Sequence, residues 1–148
     1  MGRISSALGQ RVYFDTNIFI YAVEGFADYA DQVQALLEAL DTGEIVVVTS
    51  ELTLAETLVK PVKEQNLTIE QAYRTFLTPT AALQVIPISR DVLEEAARLR
   101  ATTKLKLPDA IQLATAIREQ CDSFLTNDEM FKSLHLPFVR ILSETSLM

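Results

Sequence analysis

Short, almost wholly apolar runs alternate along this chain with longer segments in which apolar residues recur at helical spacing. The first run, Val12-Tyr13-Phe14, stops abruptly at Asp15-Thr16-Asn17. It predicts a buried strand carrying Asp15 at its tip. Ile18 to Val23 follows as a short helix that Asn17 is placed to cap and Gly25 to end. Tyr29, Val33, Leu36, Leu37 and Leu40 then keep helical spacing as far as Thr42-Gly43. Ile45-Val46-Val47-Val48-Thr49 is β-branched without polar alternation, the pattern of a strand covered on both faces in a parallel sheet.

Ser50 is placed to cap a helix bearing Leu52, Ala55, Leu58 and Val59, which Pro61 should kink or end. Thr68-Ile69-Glu70-Gln71 has the form of a capping box opening a helix through Tyr73, Phe76 and Leu77. Leu83 to Ile88 reads as a third strand, and Pro87, lacking a donor, favours an edge position for it. Ser89 precedes a helix with Val92, Ala96 and Leu99, and Pro108 suits the first position of the next helix. Phe124-Leu125-Thr126 and Phe138 to Leu142 are the last two strands. Strands alternating with helices imply right-handed crossovers, hence a three-layer α/β/α domain built on a parallel sheet.

Composition narrows the class. A chain of 148 residues, 49% apolar and 22% charged, fits one globular domain. Residues 1–11 read as a flexible Ser/Gly/Ala-containing lead, although Met1-Gly2-Arg3-Ile4-Ser5-Ser6 matches the loose myristoylation pattern by letters. Residues 12–148 read as the single domain. No apolar run approaches the roughly 20 residues of a membrane-spanning helix, so no membrane association is expected. Cys121 is the sole cysteine, which excludes an intramolecular disulfide and a thiolate zinc site and favours a cytoplasmic setting. A formal net charge of −7 argues against binding nucleic acid through a broad basic surface.

The candidate chemistry lies in the acids. Asp15 follows the first strand, where ligand sites of open α/β sheets lie. Turn chemistry alone would also account for Asp15, Thr16 and Asn17. Glu56 shares its helix face with Leu52 and Val59, where a bare charge is costly without a cation, a hydrogen-bond network or an open flank. Asp109 sits in a first helical turn, favourable for a negative charge, on the face of Leu113 and Ile117. Asp128 follows the Phe124-Leu125-Thr126 strand and suits a cap. Each has a structural explanation, but together they mark four helix starts that a parallel sheet would place side by side. Packed carboxylates repel, and a hard divalent cation with oxygen ligands, Mg²⁺ or Mn²⁺, relieves that repulsion. Other chemistries lack material: His135 is the only histidine, and the four glycines are dispersed rather than forming a phosphate loop. Arg98, Arg100, Lys104 and Lys106 read as a solvated face, with contact to phosphate as the alternative.

Four segments in order, Phe14-Asp15-Thr16-Asn17, Ser50 to Glu56, Leu107 to Ala116, and Thr126-Asn127-Asp128 with Phe131, resemble the PIN-domain nucleases, in particular the VapC-type toxins of prokaryotic toxin-antitoxin pairs. The resemblance spans roughly Val12 to Leu142. It implies the strand order 3-2-1-4-5, metal-site roles for Asp15, Glu56, Asp109 and Asp128, and supporting polar roles for Asn17 and Thr126. It further implies a metal-dependent endoribonuclease using Mg²⁺ or Mn²⁺, an RNA substrate, a cognate antitoxin protein and a homodimer. Two other readings compete: a noncatalytic PIN-like protein-interaction module, and a phosphatase with Asp15 as nucleophile.

Overall fold

A computed structural model describes residues 2–147. Met1 and Met148, the outer ends of the two expected segments, lie outside the described residues. Five strands form one sheet: β1 (Arg11–Phe14), β2 (Val46–Ser50), β3 (Leu83–Ile86), β4 (Ser123–Thr126) and β5 (Val139–Ile141). Their order is β3-β2-β1-β4-β5, and every pairing is parallel. The helices are α1 (Arg3–Leu8), α2 (Thr16–Glu24), α3 (Ala30–Asp41), α4 (Glu51–Lys63), α5 (Leu67–Phe76), α6 (Arg90–Thr102) and α7 (Leu107–Arg118). Among the described residues, no helix is long and apolar enough to cross a membrane.

The strands carry no polar alternation because both faces are covered. Val12, Phe14, Val47 and Leu125 pack on one side with Ile18, Phe19 and Leu36 of α2 and α3. Tyr13, Val48 and Phe124 pack on the other with Val92, Ala96 and Leu113 of α6 and α7. Register pairs Tyr13 with Val48 and Phe124, so the carboxyl ends of β1, β2 and β4 finish at a common edge. That edge carries the chemistry.

Several local elements differ from the sequence expectations. The segment read as a flexible lead contains α1, whose Ile4 and Leu8 are buried in the core. Their i, i+4 spacing puts both on one helix face, and Glu44 accepts a hydrogen bond from the Ser5 N–H at 2.7 Å. Pro61 does not end α4, which runs to Lys63. A proline near the last turn forfeits one hydrogen bond, and the Pro61 ring is buried. The cap of α5 is Asn66, which accepts from the Ile69 N–H at 3.2 Å, so Thr68 lies within the helix and Glu70 pairs with Arg74 instead. Asp15, not Asn17, caps α2. Pro87 follows β3, which is an edge strand. Leu107 is the first residue of α7, with Pro108 second.

Candidate active site

Asp15 leaves β1 directly into α2 and is only 5% exposed. Its backbone N–H donates to the Leu125 carbonyl at 3.0 Å, tying the strand tip to β4. Oδ1 accepts from the Thr16 N–H at 2.9 Å, and Oδ2 accepts from the Thr126 hydroxyl at 2.7 Å. Thr126 also accepts from the Asp128 N–H at 3.1 Å, so a single hydroxyl ties the Asp15 carboxyl to the backbone of Asp128. Asp128 in turn accepts from the Met130 N–H at 2.9 Å, capping the short turn Glu129–Leu134 as its position predicts.

Glu56 stands on α4, which leaves β2 without a loop because Ser50 accepts from the Leu52 N–H at 3.0 Å. Of the apolar neighbours expected beside it, Leu52 packs against the second core cluster but Val59 does not. Val59 is 65% exposed, and the buried face of α4 is Thr53, Thr57 and Pro61. Glu56 Oε1 instead accepts from the Thr16 hydroxyl at 2.7 Å and from Gln112 Nε2 at 2.8 Å. A hydrogen-bond network therefore supports the charge. Asp109 is half-buried in the first turn of α7.

These acids act on one another. Burial pushes the Asp15 carboxyl up to about 7, with the charges of Asp109 and Glu56 adding to the rise and its hydrogen bonds from Thr126 and Thr16 opposing it. Asp109 is also raised, first by burial and then by Asp128 and Glu56, with Lys106 opposing. Asp15, Glu56, Asp109 and Asp128 thus share one field. Asn17 supports the same edge: its Oδ1 accepts from the Asn127 N–H at 3.2 Å, and its Nδ2 reaches Thr126 at 3.5 Å.

Sequence reasoning missed the polar layer beneath. Gln112, Thr16, Thr49, Thr53 and the Tyr13 phenol form a linked network under Glu56. Gln112 stands three positions after Asp109 on a helix otherwise buried through small and aliphatic side chains, and that polar intrusion was its available signal. Thr49 and Thr53 gave the same signal at the end of β2 and the start of α4. His135 lies in a loop with φ of 52°, and Cys121 packs against the second core cluster.

The donor set is chemically suited to a hard divalent cation: carboxylate and hydroxyl oxygens, with no thiolate and no imidazole among them. As placed, no three His, Cys, Asp or Glu side chains among the described residues gather tightly enough to hold an ion. The acids share a field without closing a cage. Fold and site together define an α/β/α domain with a cluster of electrostatically coupled acids at the carboxyl edge of its parallel strands.

The chain belongs to the PIN domain family, whose model matches residues 12–135. A toxin-antitoxin complex from Klebsiella pneumoniae contains a chain similar to it, 32% identical, with 88% of this chain and 97% of that one covered at a TM-score of 0.64. VapBC2 from Rickettsia felis, bound to a DNA fragment from its promoter, is 22% identical, covering 89% and 97% at a TM-score of 0.67. VapC20 from Mycobacterium tuberculosis, described as a sarcin-ricin loop cleaving toxin, is 17% identical, covering 87% and 98% at a TM-score of 0.68. The last two likenesses establish the fold alone. No curated protein matches the chain.

Proposed function

We propose that this PIN domain is a divalent-metal-dependent endoribonuclease and the toxin of a toxin-antitoxin pair. The observation that carries the reading is the electrostatic coupling of Asp15, Asp109, Glu56 and Asp128 at one sheet edge, with Asp15 buried there. Retaining several mutually repelling carboxylates disfavours the native state unless a cation uses them. Asp15, Glu56, Asp109 and Asp128 would hold Mg²⁺ or Mn²⁺. When bound, such an ion supplies Lewis-acid stabilisation of the charge that builds on a phosphodiester during hydrolysis.

The chain's own residues prepare that site. Thr126 and the Thr16 N–H fix both oxygens of Asp15, while Thr16 and Gln112 fix Glu56. Lys106 acts on Asp109, and its charge beside the acids would attract a phosphate. The RNA substrate and the antitoxin partner are supported by likeness to the toxin-antitoxin complex from Klebsiella pneumoniae and, more distantly, to the toxin that cleaves the sarcin-ricin loop. A homodimer and a cytoplasmic setting complete the proposal, the former tested by sedimentation over a wide concentration range.

The decisive experiment incubates structured RNA with purified protein, with and without Mg²⁺ or Mn²⁺, beside Asp15→Asn. Metal-dependent cleavage lost in the variant is expected. Equal cleavage by the variant would assign the activity to a contaminant. A folded, metal-loaded sample that cuts no RNA pool would favour the noncatalytic module, and phosphate trapped covalently on Asp15 would favour a phosphatase.

A further inference from the structure

We propose that Gln112 is a positioning residue of the acid cluster: its buried amide, oriented by the Tyr13 phenol, holds Glu56 Oε1 and leaves Glu56 Oε2 as the oxygen available to a divalent cation. The inference rests on the metal-site reading above and assigns a task to a residue that is not itself a ligand.

Gln112 is 1% exposed in the middle of α7. A primary amide buried there is costly unless its hydrogen-bonding groups are satisfied, and a methionine would fill similar space without that requirement. Packing alone therefore does not call for glutamine. Its Nε2, with two N–H donors, lies 2.8 Å from Glu56 Oε1, 3.1 Å from Thr16 Oγ1 and 3.2 Å from Thr53 Oγ1. On the other side, the Tyr13 phenol donates to Oε1.

That pattern allows one orientation of the amide. Reversing it would set Oε1 against a carboxylate oxygen, leaving two acceptors facing each other. Tyr13 is fully buried and stacks on Phe124 with ring centroids 5.2 Å apart and planes 7° from parallel, which fixes where its phenol oxygen meets the amide. The chain of contacts runs from the sheet through Tyr13 and Gln112 to Glu56. Both hydrogen bonds to Glu56 fall on Oε1, and none reaches Oε2 among the described residues. An ionised carboxylate held in this way meets a cation with its rotamer already selected.

The test measures Mn²⁺ affinity of the full chain by calorimetry and by the Mn²⁺ electron paramagnetic resonance signal. The series comprises wild type, Gln112→Met, Tyr13→Phe, the double variant and Glu56→Gln, with circular dichroism confirming the fold of each. Loss of an outer partner of a metal ligand typically weakens binding by about 10- to 100-fold, and Gln112→Met should fall near the lower figure. Tyr13→Phe should weaken binding by a smaller factor, roughly threefold. The double variant should match Gln112→Met alone, because Tyr13 acts through the amide.

A folded Gln112→Met that binds Mn²⁺ within about twofold of wild type, against the 10-fold loss expected, overturns the inference. If Gln112→Met does not fold, Tyr13→Phe decides, and unchanged affinity there overturns it. Losses that add in the double variant overturn the relay. Binding lost in Glu56→Gln but kept in Gln112→Met leaves the metal site standing and removes only the role of Gln112. Wild type that binds no Mn²⁺ removes the metal reading and this inference with it.

Discussion

Replacing Asp15 with Asn should stabilise the metal-free protein at pH 8 and cost it a little stability near pH 3. The Asp15 carboxyl is raised from 3.8 to about 7, chiefly by burial. Below about pH 3 the group is protonated in both native and unfolded chains and contributes no pH dependence. As pH rises towards 7 the unfolded chain loses the proton while the native chain keeps it, so stability falls; above pH 7 the loss is complete. At about 1.4 kcal/mol per pH unit, the penalty reaches at most about 4 kcal/mol. Asn escapes it but weakens the contact with Thr126, which costs on the order of 1 kcal/mol at every pH. The net expectation is a gain of roughly 2–3 kcal/mol at pH 8, near-equality around pH 4.5 and a loss of about 1 kcal/mol near pH 3. Urea denaturation in EDTA across that range measures it. Parallel pH profiles for wild type and variant would refute the reasoning. Mn²⁺ at about 1,000 times its Kd should reverse the ranking at pH 8, since it adds roughly 4.1 kcal/mol to the chain that binds it.

Asp109→Asn should abolish the Mn²⁺-dependent rise in Tm; in metal-free protein its relief of repulsion is opposed by about 0.3–1 kcal/mol of lost helix-start stabilisation. A rise equal to wild type would mean that Asp109 is outside the site. Thr126→Val removes the donor to Asp15 and the acceptor for the Asp128 N–H, and should lower stability by roughly 1.5–3 kcal/mol in urea titrations at pH 8. Leu8→Ala should cost about 2–5 kcal/mol because Leu8 is a core residue, whereas a flexible lead would leave the urea midpoint unmoved. Cys121, whose thiol burial pushes up to about 12, should resist alkylation at pH 8 until the chain is unfolded by urea. Rapid modification of the native protein would contradict its packed environment.

The sequence by itself determined the elements whose signal is local. Val12 to Phe14 and Ile45 to Thr49 are apolar without alternation, which already says strands covered on both faces. Ser50 and Ser89 cap the helices they precede because the cap bond spans only two or three residues. The acids at helix starts were visible for the same reason. The strand order came from resemblance, since no periodicity states which strands pair. Other features depended on neighbours distant in sequence: Leu8 becomes core by packing on the sheet, Val59 faces outward, and the polar face of α4 meets Gln112 of α7. Tertiary structure alone decided how the acids are held, because Thr126 is 111 residues from Asp15 and Gln112 is 56 from Glu56. A hydrogen bond needs its partners within about 3 Å. Sequence periodicity fixes which face a side chain takes on its own element, whereas only the packed sheet fixes what stands opposite.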